Sequence, residues 1–280
     1  MSFSVAKADG GREPFNVQKL RQSLQQSGAT QVEINAIVLE IESVIYDGIH
    51  TQEIYKYAFE LLQKSEVTVA ARYSLRRALF NLGPTGFPFE DFLGRLFTYE
   101  GYATKTRVVL QGHCVEHELD VAAYKSDHSF VCEAKFHSSP GMKSDLQVAL
   151  YCHSRLLDLK DTKICNDDIC GIKELMIVTN TKFTTSAEKY GVCSGLTLLS
   201  WDFPKKNNLH DRIQKSGMYP VTVLQTLSVS QKRALIEKGV VVCADLLVKP
   251  ELLRHAHISQ TRMLLVLEEA RKLSTATVGA

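Results

Sequence analysis

A chain of 280 residues, 45% hydrophobic and 23% charged, has room for two or three compact cores. No apolar run approaches the roughly 18 residues of a membrane span, and the opening Ser2-Phe-Ser-Val-Ala-Lys7 lacks a signal-peptide core, so no membrane partner and a cytoplasmic location are expected. Seven cysteines in no regular framework read as reduced thiols, and Cys152-His153 with Cys165 and Cys170 is too irregularly spaced to favour a zinc site.

Taken in chain order, residues 1–86 form the first unit. Val5 to Phe15 reads as a short β-hairpin turning at Asp9-Gly10-Gly11, and helices follow over 17–27, 33–46, 51–65 and 67–82, each with apolar residues at helical spacing. Thr51-Gln-Glu-Ile is a cap signal for the third helix. Lys7, the run Glu13-Pro14-Phe15-Asn16-Val17-Gln18-Lys19, Thr51 and Arg72-Tyr-Ser-Leu-Arg76-Arg77 resemble the ATP-cone, the allosteric nucleotide domain of ribonucleotide reductases and their repressors. The resemblance implies ATP or dATP as a regulatory ligand, with Lys7 and Lys19 on the phosphates and the Glu13, Pro14 and Phe15 backbone against the base. Thr51 would contact phosphate or base from a helix start, and Arg76 or Arg77 would reach the phosphates. The family usually has Arg after the strand lysine, where this chain has Ala8. No G-x-x-x-x-G-K-[ST] run is present, so a hydrolytic P-loop is excluded.

Residues 87–204 form the second unit. His117-Glu-Leu-Asp120-Val and Cys132-Glu133-Ala134-Lys135-Phe136 both alternate as strands do, and the polar stretch Tyr124–Phe130 between them predicts a hairpin. Period two puts Glu133 and Lys135 on one face and Cys132, Ala134 and Phe136 on the other, and the hairpin sets Asp120 beside the charged pair. Two carboxylates and an amine in one place suit a hard divalent cation and a water; spacing alone also fits a solvated charge ladder. A helix over 144–159, a buried strand over 174–180, a helix over 184–192 and a strand over 196–201 follow as a βαβ crossover.

From about Phe87 to Pro204 the chain resembles the Mrr-like branch of the PD-(D/E)xK nucleases. Phe89-Glu90-Asp91-Phe92 looks like the opening helix, Asp120 the first acid, Glu133-Ala134-Lys135 the E-x-K element, and Gln147-Val-Ala-Leu-Tyr151 the Q-x-x-x-Y element. Thr179-Asn-Thr-Lys-Phe183 falls on an equivalent segment, and the Pro common before the first acid is missing. The resemblance implies Mg2+ or Mn2+ held by Asp120, Glu133 and the Ala134 carbonyl, polarising a phosphate and lowering the pKa of a bound water. Lys135 would orient that water or steady charge on phosphorus. Glu90 would hold a second metal or an outer water, and Gln147 the nucleophile or a phosphate. Glu118 is either an additional ligand or a plain strand charge.

Residues 205–280 form the third unit. The polar run from Phe203 to Pro220 reads as a linker, followed by helices over 222–227, 230–238, 250–256 and 259–273. Leu227-Ser228 with Lys232 and Glu237-Lys-Gly239-Val240 is loosely similar to a helix-hairpin-helix unit, though only one glycine is present; a helical module packed on the rest of the chain is the alternative. Charge is uneven: 9 basic and 9 acidic groups in residues 1–86, 12 and 16 in the middle, 12 and 6 in 204–280. The basic tail is a modest phosphate-attracting footprint.

The expected architecture is therefore multidomain α/β: a hairpin-plus-helices cone, a central mixed restriction-endonuclease-like sheet, and an all-helical C-terminal module. The expected activity is metal-dependent DNA cleavage under adenine-nucleotide control. A nucleotide-responsive DNA-binding regulator whose nuclease fold does not cut is the alternative. One site per chain and two strands to cut favour a homodimer or higher homo-oligomer.

Overall fold

The structure is a computed structural model and describes residues 3–7, 10–160, 162–164 and 171–275. The first unit pairs β1 (Ser4–Ala6) with β2 (Arg12–Pro14) antiparallel and with β3 (Ile49–His50) parallel, in the order β2-β1-β3. Around this small sheet stand α1 (Val17–Gln26), α2 (Gln31–Val44) and α3 (Thr51–Ser65). Asn16 caps α1 and the Thr30/Glu33 capping box starts α2, so the orphan amides of both helix ends find side-chain acceptors. Leu24, Ile41, Ala58 and Leu62 meet in one core that ends at Ala70.

The helix expected over 67–82 is broken in two. The Ser74 hydroxyl donates back to the Ala71 carbonyl, which competes with helix continuation and separates α4 (Val67–Tyr73) from α5 (Leu75–Phe80).

The second unit holds a five-stranded mixed sheet in the order β10-β8-β6-β5-β4. After α6 (Phe87–Tyr99), an antiparallel meander runs through β4 (Ala103–Gln111), β5 (Glu116–Tyr124) and β6 (Ser129–Lys135). β8 (Glu174–Thr179) and β10 (Thr197–Leu199) then join parallel to β6, each reached through a helix: α7 (Leu146–Asp158) and α8 (Thr185–Cys193). A separate short pair, β7 (Lys143–Ser144) with β9 (Lys182–Phe183), sits beside the sheet. One sheet face buries Phe89, Phe92 and Phe97 of α6; the other buries Ala149 and Cys152 of α7 with Ala187 of α8.

The run expected to be a linker contains α9 (Leu209–Ser216). Leu209 and Ile213, four residues apart, are fully buried; Asn208 caps the start, and Gly217 ends the helix at φ 67, where a side chain would strike the Ser274 backbone. Beyond it, the helix expected over 222–227 is a single 3-10 turn, Val221–Val223, behind Pro220. α10 (Val229–Glu237), α11 (Cys243–Val248), a 3-10 stretch Pro250–Ala256 and α12 (Gln260–Thr275) complete the described chain.

These C-terminal helices share one core with α5, α6 and the sheet. Thr222 Oγ1 donates to the Ala78 carbonyl at 2.6 Å, and Arg95 on α6 pairs with Asp245 on α11 at 3.3 Å. Buried Glu269 accepts from the Gln225 and Thr226 amides and the Thr226 hydroxyl, which fixes the loop ahead of α10 to α12.

Candidate active site

The antiparallel register of β5 and β6 pairs Val121 with Cys132; continued by one residue, it sets Asp120 opposite Glu133. The Ala134 N–H donates to Asp120 Oδ2 at 2.6 Å, tying the two strands at that point. Cys132, Ala134 and Phe136 pack into the α6-side core, so Glu133 and Lys135 turn to the α7 side, as alternation predicts.

At Asp120 the sheet departs from a regular ladder. Val121 and Ala123 lie in the α6-side core, yet Leu119 lies in the α7-side core, although residues two apart on a flat strand share a face. On the neighbouring strand the Thr106 methyl lies close to Gly94 of α6, while Val108 and Leu110 pack toward α7. Both strands therefore roll over between these positions. The ladder skips the Arg107–Asp120 pair, and Arg107 has a left-handed φ of 54. Such kinks increase local twist and re-aim side chains.

Glu133 is buried, with 8% of its side chain exposed, and is the hub of the site. Lys135 Nζ donates to its Oε1 at 2.5 Å, and the Tyr151 hydroxyl donates to the same oxygen at 2.7 Å. Arg155 Nη1 donates to Oε2, and also to the Glu118 carbonyl at 3.2 Å. The Tyr151 ring lies under both cations, 5.2 Å from Lys135 Nζ and 5.4 Å from the Arg155 guanidinium. Burial and the Glu133 charge push the Tyr151 hydroxyl well above its ordinary pKa, so it stays a donor.

Asp120 titrates at about 6, raised first by burial and next by Glu133, with Glu90 adding to the effect. The Ala134 amide and Lys135 oppose the rise. Glu90 is itself raised by burial, although Arg107 bonds it at 3.3 Å and bonds Asp91 at 2.8 Å. Asp120 and Glu90 are thus both raised, by burial before charge, although Lys135 and Arg107 stand beside them. Neighbouring bonds hold this geometry. The His137 N–H donates to Asn180 Oδ1 at 2.9 Å while Asn180 Nδ2 donates to the His137 carbonyl at 2.8 Å, fixing the chain just past Lys135 to the end of β8. Asp158, at the foot of α7, accepts from the Cys114 and Val115 amides and meets His117 Nε2 at 2.8 Å. That pins α7, and with it Tyr151 and Arg155, against the β4–β5 turn.

Asp120, Glu133, Ala134, Lys135 and Glu90 are therefore brought together. Gln147 is not: it is exposed, and among the described residues it takes no part in the bonds around Glu133. It shares the helix face of Tyr151 and Arg155 but stands one turn nearer the start of α7. Glu118 contributes its backbone carbonyl to Arg155, and its charge adds to the rise at Glu90. Arg155 went unnoticed in the sequence, and Tyr151 was read only as part of a motif. Their spacing of four residues on one helix face was the available signal. Of the zinc alternative, Cys165 and Cys170 lie outside the described residues, Cys152 is buried in the core, and His153 Nδ1 meets the Tyr190 hydroxyl.

In the first unit, Glu13 lies between the two lysines, 2.7 Å from Lys7 and 3.1 Å from Lys19, and those two bonds hold its carboxyl below the usual range. Pro14 pairs across to Ser4, the Phe15 N–H donates to the Phe3 carbonyl, and Thr51 opens α3. Arg76 departs from the expectation. Its guanidinium lies over the Trp201 ring, 5.8 Å from the centroid, with Nε buried and unpartnered. α5 packs Leu75, Ala78 and Leu79 into the second unit's core.

Residues 3–80 match the ATP cone domain, and residues 219–274 match the family described as AF1548-like, C-terminal. An uncharacterized protein of Archaeoglobus fulgidus is 34% identical over 182 residues, spanning 65% of this chain and 99% of that protein. This chain belongs to the AF1548-like family. The crystal structure of AF1548, a protein of unknown function, superposes with a TM-score of 0.55 at 32% identity, covering 69% of this chain and all of AF1548. The AF1548-like chain thus carries an ATP-cone at its front, which points to nucleotide binding, on a mixed α/β body. Among the described residues, no helix is long and apolar enough to cross a membrane.

Proposed function

We propose that this chain is a metal-dependent endodeoxyribonuclease, with residues 87–204 as the cutting unit, residues 1–86 as an adenine-nucleotide-binding regulator and residues 205–280 as a helical module docked on both. The observation that carries this reading is the strand roll-over that sets Asp120 against Glu133 and the Ala134 amide, with Lys135 on the same carboxylate. The donor set fits a hard cation such as Mg2+ or Mn2+: its side-chain ligands are carboxylate oxygens, and burial first, with Glu133 next, raises Asp120 to about 6. A bound cation would supply Lewis-acid polarisation of a phosphate and a more acidic water.

The chain's own side chains do the rest. Lys135, steadied by Glu133, presents an ammonium to charge developing on phosphorus. Tyr151 fixes the Glu133 rotamer through Oε1. Arg155, held on Glu133 Oε2, keeps a planar guanidinium fork beside the carboxylates, a geometry suited to an incoming phosphate. Two such chains would serve the two strands of a duplex.

The test is nicking of supercoiled plasmid, methylated and unmethylated, with Mg2+ or Mn2+ and with or without ATP and dATP. The parent should cut, and Asp120→Ala and Lys135→Ala should each lower the rate by about 100-fold or more. Equal rates in parent and variants would refute the assignment. A second reading, a nucleotide-responsive DNA-binding regulator that does not cut, is favoured by one observation. Glu133 is fully engaged by Lys135, Tyr151 and Arg155, and no cluster of three metal-ligating side chains is arranged among the described residues. DNA binding without nicking, in metal, would select it.

A further inference from the structure

We propose that the junction between the front unit and the C-terminal helices holds a second ligand site, for a free nucleotide or a similarly built phosphorylated small molecule with a planar body. A cavity of about 760 Å³ opens there, within the range of small-molecule sites. Arg77 and Phe80 of α5, Phe87 at the start of α6, and Lys232, Arg233 and Ile236 of α10 line it. None of Lys7, Glu13, Lys19 or Thr51 does, so it is separate from the cone's lysines.

Its chemistry is divided into two parts. Three cations from two distant stretches of sequence converge on it, and among the described residues none of Arg77, Lys232 and Arg233 forms an ion pair. Two carboxylates, Asp91 and Glu237, line the cavity beside the three cations, one fewer than the cations. Asp91 is bonded by Arg107 at 2.8 Å, Glu269 is filled by the Gln225 and Thr226 amides and the Thr226 hydroxyl, and Glu237 is exposed on the last turn of α10. Burial first, and then Arg77 among the charges, lowers the Lys232 pKa, while Glu269 partly offsets this. With Asp91 taken by Arg107, cations outnumber free carboxylates on this partly enclosed surface; such an excess is stabilised by an anion, and a phosphate matches Arg and Lys donors. The other part is apolar: Phe80 and Ile236 line the wall, and at the mouth Phe87 and Val229 remain 57% and 77% exposed. A flat ring can stack on Phe87 while its phosphates reach the α10 cations.

Calorimetric titration of the full chain with ATP, with inorganic pyrophosphate as the phosphate-only probe, tests this. ATP should bind more tightly than pyrophosphate. Arg233→Glu and Lys232→Met should each weaken the ATP-binding component by about tenfold or more, and Lys19→Ala should leave that component in place. Arg233 is exposed, so its replacement does not threaten the fold. ATP affinity and stoichiometry unchanged in both α10 variants would overturn the proposal, as would absence of ATP binding. Binding of a 5′-phosphorylated oligonucleotide in place of ATP, lost in the same variants, would overturn the small-molecule assignment.

Discussion

Glu13 in the front unit and Glu133 in the central sheet are each held by two cations, Lys7 and Lys19 in one case and Lys135 and Arg155 in the other. Surroundings separate them. Glu13 has 29% of its side chain exposed and its lysines 40% and 63%; Glu133 has 8%, beside cations at 28% and 21%. Water and salt screen the first group, which therefore contributes little to folding and exchanges partners easily. The second group has given up much of its hydration, so each member depends on the others. The same kind of charge triplet makes an exchangeable surface in one place and a rigid buried frame in the other.

Removing the hub of the buried group should produce the largest stability change. Glu133→Ala leaves Lys135 and Arg155 facing each other across a buried gap, and about 3 kcal/mol of stability should be lost. The double variant Glu133→Ala/Arg155→Met should recover part of it, since one uncompensated cation goes with the carboxylate. Urea denaturation of the parent, the two single variants and the double variant closes the cycle. Strictly additive losses would show that the two side chains are not coupled.

Asp120 sharpens the contrast through pH. Its folded pKa of about 6 lies above the ordinary 3.8, so the folded chain holds this proton more tightly than the unfolded one. The resulting stability is complete below about pH 4 and is lost as pH rises through 6. Asp120→Asn carries no such dependence. It should gain about 2 kcal/mol on the parent between pH 4 and pH 7, read from urea midpoints across that range. Mg2+ at pH 7 should raise the midpoint of the parent and leave that of Asp120→Asn nearly unmoved. Parallel pH profiles for the two proteins would remove the idea that crowded carboxylates define this site.

How far the buried group was legible in the sequence depends on how local each signal is. Alternation put Glu133 and Lys135 on one face, and the polar hairpin turn brought Asp120 alongside, because both follow from two-residue periodicity. The roll-over at Arg107 did not show, since arginine carries no preference for a left-handed φ; packing on both sheet faces imposes it. Arg155 had only its four-residue spacing from Tyr151 to mark it, because its partner lies 22 residues away on another element. α9 had local signals, Leu209 and Ile213 four apart with Asn208 and Gly217 at the ends, and its polar remainder masked them. The shared core of α5, α6 and the C-terminal helices is a tertiary fact with no local trace.

A smaller effect separates the hydrogen bond from the charges within the buried group. Tyr151→Phe removes one donor from Glu133 Oε1 while Lys135 remains on it, so a loss of about 1 kcal/mol is expected. If cleavage falls further than that loss of stability accounts for, Tyr151 is setting the Glu133 rotamer for chemistry. A rate that tracks stability alone would reduce it to a packing residue.

The exposed group should respond least in stability and most in its dependence on salt. Glu13→Gln removes the carboxylate between Lys7 and Lys19 and keeps the shape. Its urea midpoint should match the parent's, because screened surface pairs contribute little. Adenine-nucleotide affinity should rise, because a phosphate no longer competes with Glu13 for Lys19, and the gain should shrink as ionic strength increases. Calorimetry at low and high salt reads both. A destabilised Glu13→Gln protein with unchanged affinity would mean that this cluster holds the hairpin together, and the division between an exchangeable surface and a fixed frame would then lie somewhere other than between these two glutamates.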